Sequence, residues 1–272
     1  MSTFINSFWG GVVIPIVGEI TLSSTSVLAS WSPETITNTT PTLVWSVSGG
    51  LIIAPVTIND PTFNFSGNTG TANILIDNTI NLTEVRMRSL ELVTADFTGA
   101  NSISIINVQN NLITSINLLG NINLLNLRID NNPTLTTIDL SANTLLTNFD
   151  SQQCGYIGAV DLTNNTNLLT VNLRFCPSLT SVDVTGLTTM NQLLIAGCSL
   201  NAFDISTNTS LSILSCNGNL FTITMTNKLL ADIVSNGVIN GTLDYRNNET
   251  GQGITDRAIL ITRGWTIRNR AT

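Results

Sequence analysis

The sequence predicts a mainly β solenoid, a coil in which each turn adds one strand to a parallel sheet. Three observations predict it: a period of 20 to 22 residues, apolar residues at fixed positions of that period, and a composition rich in Asn, Thr, Leu, Ile and Ser with only 10% charged residues. The repeats begin at Asn81, Asn101, Ile122, Thr144, Thr166, Thr188 and Thr209. We therefore expect about seven coils between residues 81 and 229.

Each repeat carries the pattern L-x-x-L-x-L, whose second half alternates as a half-buried strand does. Its first column is Leu82, Ile103, Leu124, Leu146, Leu168, Met190 and Leu211; its second is Val85, Ile106, Leu127, Phe149, Val171, Leu193 and Leu214; its third is Met87, Val108, Ile129, Ser151, Leu173, Ile195 and Cys216. A second apolar set follows about eleven residues later, as at Ile113, Ile116 and Leu118, and predicts an extended return side. One coil cannot bury both sets alone, so the coils must stack.

The segments NNPTLTTIDLSANTLL, CPSLTSVDVTGLTTM and TSLSILSCNGN resemble the short, Asn-rich leucine-rich repeats of bacterial surface proteins and bacteriophage proteins. The resemblance covers about residues 81 to 229. It implies a leucine-rich-repeat solenoid with a β-rich N-terminal cap and a short-helix C-terminal cap. It also implies a binding scaffold, although a fold of this kind does not by itself fix a function.

A fourth column lies three residues after the last strand position and contains Leu90, Asn111, Asn132, Cys154, Cys176, Cys198 and Asn219. In leucine-rich repeats this position bends the chain, and we expect the Asn side chains to bond the backbone of adjacent coils. The three cysteines should form a row along the axis, which is poor geometry for tetrahedral zinc. Buried free thiols are the prediction, with Cys216 as a small core residue.

Two segments precede the repeats. Residues 18–80 have alternating apolar patches and turn signals, which predict either a small sandwich-like β domain or degenerate first coils. The second alternative is favoured because Trp45, Phe65 and Met87 are spaced almost as the repeats are. Residues 1–17 form an apolar arm, too short to span a bilayer and expected to dock on a neighbouring protein. Its assembly residues are Phe4, Phe8, Trp9, Val12, Val13 and Ile14.

Residues 230–272 are predicted to be a C-terminal cap. The segment from Asn227 to Gly237 reads as a short helix, VINGTLDY as an extended stretch, and TDRAILITRG as a second helix with Thr255 as its N-cap. Trp265 and Ile267 are expected to close the structure.

The composition excludes several functions. The chain has no His, so mechanisms that use His as a base or metal ligand are impossible. A net charge of -7 argues against nucleic acid as a partner. One outward column contains Asp96, Asn117, Asp139, Asp161, Asp183 and Asp204, which we interpret as turn or solvated residues and not as a catalytic pair. We expect a protein that is not an enzyme and binds no cofactor or metal.

A surface remains as the candidate site. The side chains that alternate with the apolar ones in the inner strands should face outward on the concave sheet, where repeat proteins usually bind. The predicted binding residues are Arg86, Arg88, Gln109, Arg128, Asp130, Asp150, Gln152, Asn172 and Arg174, with Asn107, Gln192 and Leu194 in the same set. The alternative is an ordinary solvated sheet, on which Arg128 beside Asp150 is an exposed ion pair of little weight.

The apolar arm and the absence of a recognisable export signal favour a structural component of a virion, above all a bacteriophage capsid-associated, spike or tail protein. Its partners would be other virion proteins, copies of itself or a host-surface receptor, and contact of the arm with a membrane is the less favoured alternative. A bacterial cell-surface or secreted adhesin that binds glycan or protein, and an intracellular scaffold, remain open as further alternatives.

Overall fold

A computed structural model describes residues 20–24, 35–38, 44–49, 53–56, 72–77, 82–156, 158–245 and 249–269. Its elements are, in chain order, β1 (Ile20–Ser24), β2 (Thr35–Asn38), β3 (Val44–Gly49), β4 (Ile53–Val56), β5 (Ala72–Asp77), β6 (Leu82–Arg86), β7 (Leu92–Asp96), β8 (Ile105–Asn107), β9 (Ser115–Asn117), β10 (Asn126–Arg128), β11 (Asn148–Asp150), β12 (Gly158–Asp161), β13 (Thr170–Asn172), β14 (Leu179–Asp183), β15 (Gln192–Leu194), β16 (Ile213–Ser215), α1 (Ile223–Asn236), β17 (Thr242–Tyr245), α2 (Gln252–Thr262) and β18 (Thr266–Asn269). The described part of the chain is mainly β, with one large parallel sheet and two helices, as expected of a solenoid of the leucine-rich-repeat type. No helix within it has the length and hydropathy needed to cross a membrane.

The inner sheet has the predicted register. Strands β6, β8, β10, β11, β13, β15, β16, β17 and β18 pair in parallel, in that order. Val85 aligns with Ile106, and the alignment continues through Leu127, Phe149, Val171, Leu193, Leu214, Leu243 and Ile267. All but the terminal Ile267 are at most 1% exposed. The second apolar column is therefore one continuous aliphatic and aromatic row, which stabilises the stack through burial.

The return side is extended in four coils, where it forms the parallel pairs β7–β9 and β12–β14. Its apolar side chains point into the same core, since Ile113, Leu135, Leu179 and Leu200 are fully buried. In the last coils α1 and α2 take the place of the return strand. The parallel ladder thus continues beyond residue 229, into the segment that the sequence assigned to a cap.

The described strands before residue 80 are antiparallel. Strand β1 pairs with β5 and with the first return strand, β7, while β2 pairs with the first inner strand, β6. Strand β3 pairs with β4 and β5, also antiparallel. Further coils would have added parallel strands, so the favoured interpretation of this segment as degenerate coils is wrong for these strands. The predicted arm of residues 1–17 lies outside the described residues.

Both predicted C-terminal helices are present with different starts. Helix α1 begins after Thr222, whose side chain accepts a bond from the Met225 N–H, and it ends at the left-handed Gly237. Helix α2 begins after Gly251, so the prediction of Thr255 as its N-cap is wrong and Thr255 lies in the first turn. Trp265 is buried, and its indole N–H donates to the Val238 carbonyl at 2.8 Å.

The asparagines of the fourth column bond the backbone of the preceding coil, as predicted. Asn111 Oδ1 accepts the N–H groups of Leu90 and Leu92 at 2.9 and 3.1 Å, and its Nδ2 donates to the Met87 carbonyl at 2.9 Å. Asn132 accepts from Ile113 at 3.1 Å and donates to Val108 at 3.1 Å. These side chains supply hydrogen bonds that the backbone lacks where the strands end.

A second asparagine column performs a similar role on the opposite bend. Its members Asn121, Asn143, Asn165 and Asn208 are at most 1% exposed, and each Nδ2 donates to two carbonyls of the preceding coil at 2.9 to 3.1 Å. Asn236, at the end of α1, continues the column by donating to Ile205 and Asn208. The sequence showed these residues directly before the assigned repeat starts, but the column was not recognised.

We predict that Asn132→Ala lowers the free energy of unfolding by about 2–4 kcal/mol, because it removes several bonds and leaves buried backbone groups without partners. Asn123 is the matched control, since it is exposed and makes one side-chain bond, to the Asn101 carbonyl at 3.0 Å. Asn123→Ala should cost less than about 1 kcal/mol. Urea titrations of the two variants measure both values, and equal losses would contradict the assigned role of the buried column.

Candidate functional site

The candidate site is the sheet face, which we define as the outward side chains of β6, β8, β10, β11, β13 and β15 and of the residue two positions after each strand. Alternate residues of a strand face opposite sides. In this register Arg86, Asn107, Arg128, Asp150, Asn172 and Leu194 form one column, and Arg88, Gln109, Asp130, Gln152 and Arg174 form the next. The sheet therefore brings the predicted binding residues together in two adjacent columns.

The predicted residues differ in exposure. Arg88 and Arg128 are exposed, whereas Arg86, Asp150, Gln152 and Arg174 are half-buried. Gln109, Asp130 and Asn172 are buried, with at most 9% of each exposed. Strands of a sheet are only about 4.8 Å apart, so long polar side chains on adjacent coils cover one another. The three buried residues therefore determine the shape of the face, and little of their polar surface is available to a partner.

A chain of polar contacts joins three coils. Asn172 Nδ2 donates to Asp150 Oδ1 at 3.0 Å, and the Arg174 guanidinium donates to Asn172 Oδ1 at 3.1 Å and to Gln152 Oε1 at 3.5 Å. The predicted ion pair exists, with Arg128 3.6 Å from Asp150. These contacts hold the side chains in a fixed arrangement before any partner binds, which lowers the entropic cost of binding.

Two further contacts lie toward the N-terminal end of the face. Gln109 donates to Asp130 from the preceding rung of the sheet, and Arg86 pairs with Glu84 of its own strand. Burial and the negative charge of Asp130 raise the pKa of Asp150, although Arg128 and Arg174 oppose the shift. The two arginines thus favour the charged carboxylate of Asp150, whereas its burial and Asp130 disfavour it.

A depression of about 310 Å³ opens on the sheet face over Phe149. Its lining residues are Asn126, Arg128, Asn148, Phe149, Asp150, Thr170, Asn172, Gln192 and Leu194. Asn126, Asn148 and Thr170 were missed by the sequence analysis. They occupy the first strand position in their repeats, and the signal that could have identified them is a run of uncharged polar residues at that position in four successive coils.

A left-handed turn follows the sheet face in every coil. Ser89, Asn110, Asn131, Gln153, Phe175, Gly197 and Gly218 have φ between 55° and 72°. Gly adopts this conformation readily and Asn and Asp tolerate it, whereas other residues are disfavoured in it. Ser89, Gln153 and Phe175 depart from this preference, and the ring of Phe175 lies against Gly197, where a Cβ would approach it to 2.7 Å. This column was also missed, although Asn and Gly dominate it.

The aspartate column on the return side has the role that its position predicted. Asp139, Asp161, Asp183 and Asp204 each accept, through Oδ1, the N–H two residues later at 2.9 Å. Hydrogen bonds from Ser141 lower the pKa of Asp139, and bonds from Ser206 and then Lys228 lower that of Asp204. These carboxylates close turns, and no group of three potential ligands is placed to hold a metal ion among the described residues.

The cysteines are free and buried, as predicted. Sγ of Cys154, Cys176 and Cys198 donates to the carbonyls of Ile129, Ser151 and Leu173 of the preceding coil, at 3.4, 3.4 and 3.1 Å. The thiol takes the place of the Asn Nδ2 donor but not of the Oδ1 acceptor. The backbone N–H groups that an Asn would bond therefore need another acceptor. The N–H groups of Leu135 and Leu179 instead bond carbonyls of their own coil, at 3.0 Å each.

We predict that the cysteines of the folded protein are inert to a thiol reagent such as DTNB at pH 8. Burial raises the pKa of Cys154 and Cys198 and raises that of Cys176 to about 12, so the reactive thiolate is scarce. All four cysteines should react after unfolding in guanidinium, and a cysteine introduced at the exposed Thr144 should react in the folded protein. Rapid native labelling of Cys154, Cys176 or Cys198 would contradict this placement.

One solved structure that resembles the chain is the functional domain of InlJ from Listeria monocytogenes, which is described as including a cysteine ladder. The identity is 18% and the TM-score 0.23, over 64% of this chain and 52% of that chain. The present chain therefore spans about half the length of the InlJ chain. No protein-family model and no curated protein matches the sequence.

Proposed function

We propose that this chain is a non-enzymatic recognition protein that binds another macromolecule through the sheet face. The observation that carries the proposal is the distribution of basic residues. Between residues 82 and 222 the sequence has four, Arg86, Arg88, Arg128 and Arg174, and all four belong to the two columns of this face. Arginine is enriched in binding surfaces because its planar guanidinium offers several directed donors.

The charges elsewhere support the same assignment. The repeated aspartates of the return side are engaged in turns, whereas polar groups in these two columns of the sheet face bond one another across coils. A preorganised surface of donors and acceptors is suited to recognition and offers no arrangement of groups for catalysis. The chain could serve in a virion or, alternatively, as a cell-surface adhesin. In an adhesin the same face would bind a host glycan or protein.

The test uses a variant pair matched in charge. Arg128→Gln with Arg174→Gln changes the net charge by -2 on the sheet face, and Thr144→Glu with Asn164→Glu makes the same change at exposed positions outside it. Ligands are first selected with the unmodified protein from a displayed library of random 20-residue peptides and from an oligosaccharide panel. The arginine variant should bind the selected ligands at least 10-fold more weakly, because Arg128 lines the depression and Arg174 positions Asn172.

The control pair should bind as the unmodified protein does. The proposal is wrong if neither collection yields a ligand, or if the two variants bind equally well.

We further propose that the protein works as part of a bacteriophage virion, as a capsid-associated, spike or tail component. The support is the apolar arm with Phe4, Phe8 and Trp9, which lies outside the described residues, so this proposal rests on sequence alone. Mass spectrometry of purified particles from a phage that encodes the chain should find it at a fixed copy number after washing in high salt. Its presence only in the host envelope would support the adhesin alternative instead.

A further inference from the structure

One wall of the depression is a row of uncharged polar side chains. Asn126, Asn148, Thr170 and Gln192 occupy the same position on four consecutive coils. All four are half-buried and line the depression of about 310 Å³. Consecutive strands place these groups about 4.8 Å apart along the axis of the solenoid.

Hydroxyls at the position before the row bond other coils. Thr147, directly before Asn148, donates to the Leu125 carbonyl at 2.9 Å, and Ser104 and Ser212, at the same position in the two coils that flank the row, donate to carbonyls of the preceding coil at 3.1 and 3.3 Å. By contrast, the side chains of Asn126, Thr170 and Gln192 make no hydrogen bond with any other described residue. Half-buried polar groups that lack partners lose part of their hydration and gain when a ligand supplies the bonds.

The opposite wall is electrically neutral. Its charged groups are Arg128 and Asp150, which lie 3.6 Å apart, and its other members are Asn172 and Leu194. The lining therefore has no net charge, but it offers both donors and acceptors. A ligand that complements it is uncharged and carries many groups that donate and accept.

We propose that the depression binds a neutral oligosaccharide whose chain runs along the solenoid axis, with about one sugar residue opposite each coil. This inference rests on the proposed function of the sheet face and names the ligand class for part of it. Hydroxyl groups both donate and accept, as the amides of Asn126, Asn148 and Gln192 do. The strand spacing of about 4.8 Å is close to the length that one pyranose residue adds to an extended chain.

A peptide fits the same lining less well. An extended peptide advances about 3.3 Å per residue and turns successive side chains to opposite sides, so its groups do not coincide with four successive coils. Protein interfaces also depend on apolar or aromatic anchors in pockets. The ring in the floor, Phe149, is 1% exposed, and Leu194 is the other apolar lining residue.

The test is isothermal titration of the full-length protein with cello-, malto- and chito-oligosaccharides of two to six residues. At least one neutral series should bind with a Kd below 10 mM, and its affinity should rise with length up to about four residues and then level off. Thr170→Val and Gln192→Leu should each weaken binding about 5-fold, as expected for loss of one hydrogen bond between neutral groups. Affinity should change less than 2-fold between 50 and 500 mM NaCl.

Asn164→Leu, at an exposed position outside the sheet face, is the control and should bind like the unmodified protein. Thermal unfolding verifies that each variant is folded. The proposal is overturned if no neutral series binds, if the Thr170 and Gln192 variants bind normally, or if binding is strongly salt-dependent. Should peptides bind and lose affinity in the arginine variant while no sugar binds, the proposed function stands and the sugar assignment fails.

Discussion

The structure depends on hydrogen bonds between side chains of one coil and the backbone of the preceding coil. Parallel pairing satisfies the backbone only along the short strands, and the bends between them would leave buried polar groups without partners. Asn111 and Asn132 satisfy them at one bend, and Asn121 and Asn143 do so at the other. On the flanks, threonine and serine hydroxyls donate to carbonyls one coil earlier, as Thr114 does to Val93.

This constraint explains the unusual composition. By composition alone, a chain with few charges and many Asn, Thr and Ser residues is expected to have a uniformly polar surface. In the described coils many of these side chains, the asparagines above all, take part in the coil-to-coil hydrogen bonding, and they determine the stacking together with the apolar core. The residues whose polar groups remain available are therefore informative, and on the sheet face they lie around one depression. Within the sheet face, the polar side chains that make no bond to another coil mark this depression.

Periodicity made the inner sheet predictable from sequence. Every repeat keeps the apolar column from Val85 to Leu214, and burial of that column admits one register. The role of Asn111 and the buried state of the cysteines followed from the same alignment. Residues 18–80 were harder, because spacing alone cannot separate parallel from antiparallel strands, and Trp45 pairs with Ile76 in an antiparallel ladder.

The site was predictable in outline only. Charged residues such as Arg128 and Asp150 stood out in the alignment, whereas Asn126 and Thr170 resemble the many other polar residues of the coil. Whether a given threonine donates to a neighbouring coil or remains available depends on backbone geometry that the sequence pattern does not show. Gln109 and Asp130 likewise read as solvated residues, but contacts across the sheet bury them.

Substitution of two threonines tests most directly whether polar side chains that bond across coils stabilise the fold while unbonded ones do not. Thr147 donates to the Leu125 carbonyl at 2.9 Å and accepts from Asn148 at 3.0 Å, whereas the Thr170 hydroxyl bonds no described residue. Replacing each with the isosteric valine and measuring the free energy of unfolding compares the two roles at constant side-chain shape. We expect a loss of about 1 kcal/mol for Thr147→Val and no loss for Thr170→Val. Equal losses, or a larger loss at Thr170, would contradict this expectation.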